Sequence, residues 1–92
     1  MKYFIFKGEL GLPTPIIFCG SLSHYRVATN LLNPHNWDEP NEMLERIISA
    51  GFVIVTDEGM LCYGQSSTLD GIQCRGTEDS DLLNMMLGNG ED

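Results

Sequence analysis

The chain has 92 residues, with 5 Lys and Arg against 13 Asp and Glu, a formal net charge of −8, and 42% hydrophobic residues. That size accommodates one domain, residues 1–92 with 89–92 read as a tail, and the apolar fraction is too high for a disordered acidic segment. Scarce cations exclude a protein that grips nucleic-acid phosphates or anionic lipid with Lys and Arg, and no apolar run nears the roughly 20 residues of a membrane helix.

The opening MKYFIFKGELGLP is interrupted by Lys7 and Glu9, which leaves too short an apolar stretch for a signal sequence. Lys2 to Lys7 reads as a strand, because Tyr3, Phe4, Ile5 and Phe6 favour extended backbone. Both of its faces are apolar, so it is expected centrally in a sheet. Gly8, Gly11 and Pro13 mark a turn, and Pro15 to Cys19 returns as a second strand, antiparallel to the first. Ser21 or Ser23 then caps a helix with an apolar stripe of Leu22, Tyr25, Ala28, Leu31 and Leu32, widened by Val27. Asn33-Pro34 ends it, since the residue before proline avoids helical backbone.

His35 to Pro40 reads as a polar linker holding Trp37, which is either a lid on the core or an interface anchor. Asp38 and Pro40 open a second helix, with Met43, Leu44, Ile47 and Ile48 on one face, a Glu42–Arg46 pair and Gly51 as its end. Phe52 to Thr56 and Met60 to Tyr63 form a hairpin around Asp57-Glu58-Gly59, with glycine where positive φ is needed. Gly64 to Thr68 is a polar loop. Leu69 to Gly76 alternates enough for a short fifth strand at an edge. Thr77 to Leu87 is a last helix with an acidic first turn, closed by Gly88.

The order implies an α+β fold: an antiparallel sheet of four or five strands with two or three helices packed on one face. Three cysteines, Cys19, Cys62 and Cys74, are an odd number without CxxC spacing. They read as packed free thiols in a reducing, cytoplasmic compartment.

Acidity is concentrated late in the chain, where residues 57–92 carry eight acids and one cation, Arg75. Two readings stand: a solvated surface that keeps the protein soluble, or an acidic face for a basic partner protein. Arg75 is expected to pair with Asp70, Glu78 or Asp79. No motif for catalysis stands out. Cys19 and His24 are spaced so that a thiol–imidazole contact is conceivable, but no third residue orients them. The cysteines and histidines match no zinc spacing, so no metal or cofactor is expected. Tyr63, Gln65, Ser66 and Ser67 directly follow a strand and offer small polar groups to a partner. With Trp37, Glu78, Asp79 and Asp81 they make up the expected partner-binding surface.

Five segments carry a family likeness: Pro15-Ile16-Ile17-Phe18, Leu22-Ser23-His24, Ile48 to Val53, Gly59 to Ser66, and Arg75-Gly76-Thr77-Glu78-Asp79. Together the chain resembles small uncharacterised proteins encoded by tailed bacteriophages and prophages, apart from an Asn33 to Arg46 insert that departs from their pattern. The resemblance implies a non-enzymatic accessory protein in the bacterial host cytoplasm that binds and inhibits or modulates a host protein, such as a defence or nucleic-acid-binding complex. It assigns no activity to particular residues. Neither direct nucleic-acid nor membrane binding is expected. The alternatives are a nucleotide-signal binding module, with Gln65, Ser66, Ser67 and Arg75 as contacts, or a virion-associated homo-oligomer. A homodimer covering an open strand edge is a further expectation.

Overall fold

Tyr3 to Phe6 is apolar on both faces, and the resulting strand β1 (Lys2–Lys7) lies inside the sheet. In the computed structural model, which describes residues 1–8, 10–32, 45–66, 68–69 and 71–87, β1 is flanked on both sides. One neighbour is β2 (Pro13–Phe18), paired antiparallel from Lys2↔Phe18 to Lys7↔Pro13. The turn between them is closed by the Gly8 N–H donating to the Leu12 carbonyl at 2.8 Å. The other neighbour is β3 (Ile47–Thr56), which also pairs antiparallel with β4 (Gly59–Tyr63). The order β2-β1-β3-β4 makes a four-stranded antiparallel sheet. Two helices, α1 (His24–Leu32) and α2 (Thr77–Met86), complete an α+β fold of the expected class.

Adjacent residues of β1 point to opposite faces. Tyr3 and Ile5 join Val53, Met60, Cys62 and Leu83 of α2 in one core cluster. Phe4 joins Ile47, Ala50, Leu69 and Ala28 of α1 in the other. The helices therefore cover opposite faces, not the single face expected. A strand apolar on both sides needs cover on both. The stripe of α1 is also rotated from the expected one. Ala28 and His24 are buried, whereas Leu22, Tyr25 and Leu31 are at least 41% exposed. Ser23 caps this helix as expected, its Oγ accepting the Arg26 N–H at 3.0 Å.

The second helix expected through Ile48 to Gly51 is corrected by β3, a strand of ten residues. Among the described residues, Glu45 and Arg46 directly before it are helical, and Trp37, Asp38, Pro40, Glu42, Met43 and Leu44 lie outside the described residues. Ile47 and Ile48 are β-branched and suit extended backbone. The free edge of β1 also requires partners for its N–H and C=O groups, and that demand overrides a helical spacing of apolar residues. The register shifts between Ile5 and Phe6, leaving Ile48 as a bulge. Ile48 thereby packs against the Tyr3 cluster while Ile47 stays with Phe4.

The hairpin is as expected. Asp57 and Glu58 form the loop between Thr56 and Gly59, and Gly59 takes φ 121°, which realigns the chain with the strand twist. The fifth strand is reduced to a single bridge, Gln65↔Gln73. Its neighbourhood still serves the sheet. Beyond the end of β4, the Ala50 N–H of β3 donates to the Gln73 carbonyl at 3.3 Å, and the Cys74 N–H to the Gly64 carbonyl at 3.0 Å.

Candidate functional site

Three places could carry function: a buried polar network at the start of α2, a groove between α2 and β4, and the outer face of the β3–β4 hairpin.

The network is built around Asp79, which is fully buried. The Tyr3 hydroxyl donates to its Oδ2 at 2.5 Å, and the Arg75 backbone N–H to the same oxygen at 3.0 Å. Arg75 Nε donates to Oδ1 at 2.7 Å, and its guanidinium also reaches Glu78 at 3.3 Å. Burial works against a charged Asp79, but these donors outweigh it and hold the carboxyl below its ordinary range. Burial, then the bond to Asp79, pushes the Tyr3 phenol far above its own. Ser49 Oγ is buried near this carboxylate but has no hydrogen-bond partner among the described residues. The arrangement ties the first strand to the last helix. A carboxylate bonded to three donors and fully buried is closed to a substrate.

The groove, about 730 Å³, runs between the edge of β4 and α2. Its rim holds Asp57 and Glu58 from the hairpin turn and Asp81 from α2, and among the described residues no Lys or Arg lines it. Its floor is formed by side chains that close the strand edge. The Cys62 N–H donates to Ser80 Oγ at 2.9 Å. The Met60 N–H donates to Asn84 Oδ1 at 2.7 Å, and Asn84 Nδ2 returns a bond to the Met60 carbonyl at 2.9 Å. This edge is thus occupied at both residues, which removes the open-edge argument for a homodimer from β4.

The hairpin's outer face carries Phe52 and Ile54 from β3 opposite Tyr63 and Leu61 from β4. Phe52 and Tyr63 stack with ring centroids 5.6 Å apart. Ile54, Leu61 and Tyr63 are 43%, 52% and 49% exposed. Alternation along the two strands makes these four side chains one apolar patch.

The expected surface residues are scattered over these places. Tyr63 belongs to the apolar face. Gln65 is exposed beside the Gln73 bridge. Glu78 and Asp81 are exposed on α2, the first paired with Arg75. Asp79 and Ser66 are corrected: both are buried and structural. Ser66 Oγ accepts from the Leu69 N–H at 2.9 Å and the Thr68 N–H at 3.3 Å, which closes the loop. Trp37 and Ser67 lie outside the described residues, as does Asp70. With Ser66 engaged and Arg75 held by Asp79 and Glu78, two contacts of the nucleotide-module reading are already taken. Phe52, Ile54 and Leu61 were missed because they read as core of a hairpin. Their exposure depends on where α1 stops, which strand alternation alone does not specify.

Cys19 and His24 bond to different partners, Ser21 and Gly51. Cys19 is exposed with its Sγ 3.1 Å from Ser21 Oγ, a contact that lowers the thiol pKa. Cys62 is buried, and burial pushes its thiol up to about 11. Cys74 is half-buried. Among the described residues, no group of three His, Cys, Asp or Glu could hold a metal ion, and no helix is long and apolar enough to cross a membrane.

His24 is buried between Phe18 and Phe52, with Nε2 donating to the Gly51 carbonyl at 2.8 Å. Burial holds its pKa below the ordinary value, and the carbonyl only partly offsets this. The unfolded chain accepts a proton on this imidazole near pH 6.5, and the folded chain resists it. Stability from His24 is therefore complete above that pH and lost as pH falls toward the folded pKa. The urea midpoint should fall between pH 7 and pH 5, and His24→Gln should flatten that slope. An equal slope in the variant would assign the effect elsewhere.

Compared with protein-family models, with curated proteins and with solved structures, the chain shows no significant match.

Proposed function

We propose that this protein is a non-catalytic accessory protein of phage type that binds a host protein with a basic surface and inhibits or modulates it in the bacterial cytoplasm. One observation carries the reading. The hairpin turn and α2, distant in sequence, bring Asp57, Glu58 and Asp81 to one groove that no cation lines among the described residues. Acids collected this way create a local negative potential that steers and orients a basic surface. The groove's polar side chains are bonded to the strand edge, so they supply shape and not reactivity.

The test is capture of proteins from a bacterial lysate on the tagged full chain, at low and high salt. The wild type is compared with an Asp57→Asn, Glu58→Gln, Asp81→Asn triple variant. A basic host protein should be retained at low salt, released at high salt, and absent from the variant. Retention that ignores both salt and the triple variant would reject the acidic-groove reading, as would a chain that retains only copies of itself.

A further inference from the structure

The apolar face of the β3–β4 hairpin adjoins the acidic groove: Leu61 also lines the groove, and Asp57 and Glu58 stand at the turn joining the two strands that carry the face. We propose that this face receives an amphipathic helix flanked by Lys and Arg, laid across Phe52, Ile54, Leu61 and Tyr63. The inference rests on the reading above and names the element of the basic partner that docks.

Three observations select this occupant. The first concerns the sheet edges. Ser80 and Asn84 close β4 at Cys62 and Met60, and β2 carries Pro13 and Pro15 at alternate positions, which lack N–H groups to offer a new strand. A partner strand cannot extend the sheet at those points, so binding is onto the face. An extended peptide laid on a face leaves its own backbone groups unpaired, whereas a helix satisfies them internally.

The second concerns size. Four partly exposed side chains offer on the order of 300 Å², against the roughly 800 Å² per partner of a standard interface. Opposed residues stand about 5 Å apart and successive same-face residues about 7 Å apart. That spacing suits anchors three and four residues apart on one helix. The area is too small for a second copy to make a stable dimer through this face alone.

The third concerns charge. A second copy would bring another −8. The hairpin turn sets Asp57 and Glu58 at one end of the patch, where they complement cations flanking an apolar stripe. Lys2, opposite Phe52 in register, donates its ammonium to the Leu22 carbonyl at 2.9 Å.

The probes are three synthetic peptides titrated with the full chain by fluorescence anisotropy. One is a Leu/Lys amphipathic helix, the second the same composition scrambled to abolish its apolar face, and the third a Leu/Glu helix. The Leu/Lys helix should bind saturably, the scrambled peptide more weakly, and the Leu/Glu helix not at all. Leu61→Ser and Ile54→Ser should each weaken binding about tenfold or more. Both should keep the thermal melt of the wild type, because the side chains they replace are half exposed.

Equal binding of the scrambled peptide, binding unchanged in both Ser variants, or no saturable binding would overturn the proposal. So would a wild-type dimer that Leu61→Ser dissociates, since the face would then belong to a second copy. Host-protein capture abolished by the acidic triple variant yet untouched by Ile54→Ser, a residue of the face that does not line the groove, would sink this inference and leave the proposed function standing.

Discussion

Asp79→Ala is expected to destabilise the protein by about 3 kcal/mol, near the lower end for breaking a buried ion pair. Arg75 keeps about a third of its side chain in water and can be rehydrated. Tyr3 cannot, because it is fully buried and its hydroxyl loses the acceptor it meets at 2.5 Å. An orphaned buried donor costs about 1–3 kcal/mol on its own. The Arg75 N–H loses its partner as well. For a domain of this size the melting temperature should fall by roughly 12–24 °C. Tyr3→Phe removes one donor and leaves the carboxylate its two bonds from Arg75, one from the side chain and one from the backbone, so its cost should be smaller. The double variant should cost less than the sum, because one bond is counted in both single changes.

The pH dependence supplies an independent check. The folded Asp79 carboxyl titrates below its unfolded value, so its contribution is complete above the ordinary carboxylate range. It is lost as pH falls through the folded pKa. Acid unfolding of Asp79→Asn should therefore be shallower than that of the wild type at the low-pH end. Matching slopes, or a melting temperature unmoved in Asp79→Ala, would show that this carboxylate does not hold α2 to the sheet.

This network also shows how far local signals reach. Glu78-Asp79-Ser80-Asp81 reads as one acidic first turn, in which every carboxylate faces water and the helix dipole. Three-dimensional packing divides it. Asp81 lies on the groove, Glu78 is an exposed pair for Arg75, and Asp79 turns inward to a tyrosine 76 residues earlier. No spacing rule joins residues that far apart. The hairpin was legible because its turn and its alternation are local, and the α+β class followed from the element order. The placement of the helices was within reach too. Tyr3-Phe4-Ile5-Phe6 is apolar on both faces, and a sheet whose central strand has no polar side requires two covering layers. The Ile47 to Gly51 segment was not legible. Its helical spacing is real, and only the unsatisfied edge of β1 turns it into a strand.

Gly51 shows the same dependence from the opposite direction, and its substitution is the second large expected effect. As a helix terminator it would tolerate change to any residue with a similar backbone preference. In the sheet it lies opposite Tyr3, and a Cβ there would meet the Tyr63 carbonyl oxygen at 2.6 Å, Cys74 Cβ at 3.2 Å and Tyr3 Cε1 at 3.4 Å. The first contact is with backbone, so no rotamer change relieves it. Gly51→Ala should cost roughly 2–3 kcal/mol, at the upper end for overpacking, despite alanine's smaller entropic penalty. The displaced Tyr3 ring would also draw its hydroxyl away from Asp79, so the low-pH slope attributed to that carboxylate should weaken in the same variant. Gly20→Ala is the matched control, because a Cβ there meets nothing within 4 Å and its φ is not positive. It should be neutral or stabilising by up to about 1 kcal/mol. Equal melting temperatures for the two variants would mean that Gly51 is not the opening through which the first strand reaches the last helix.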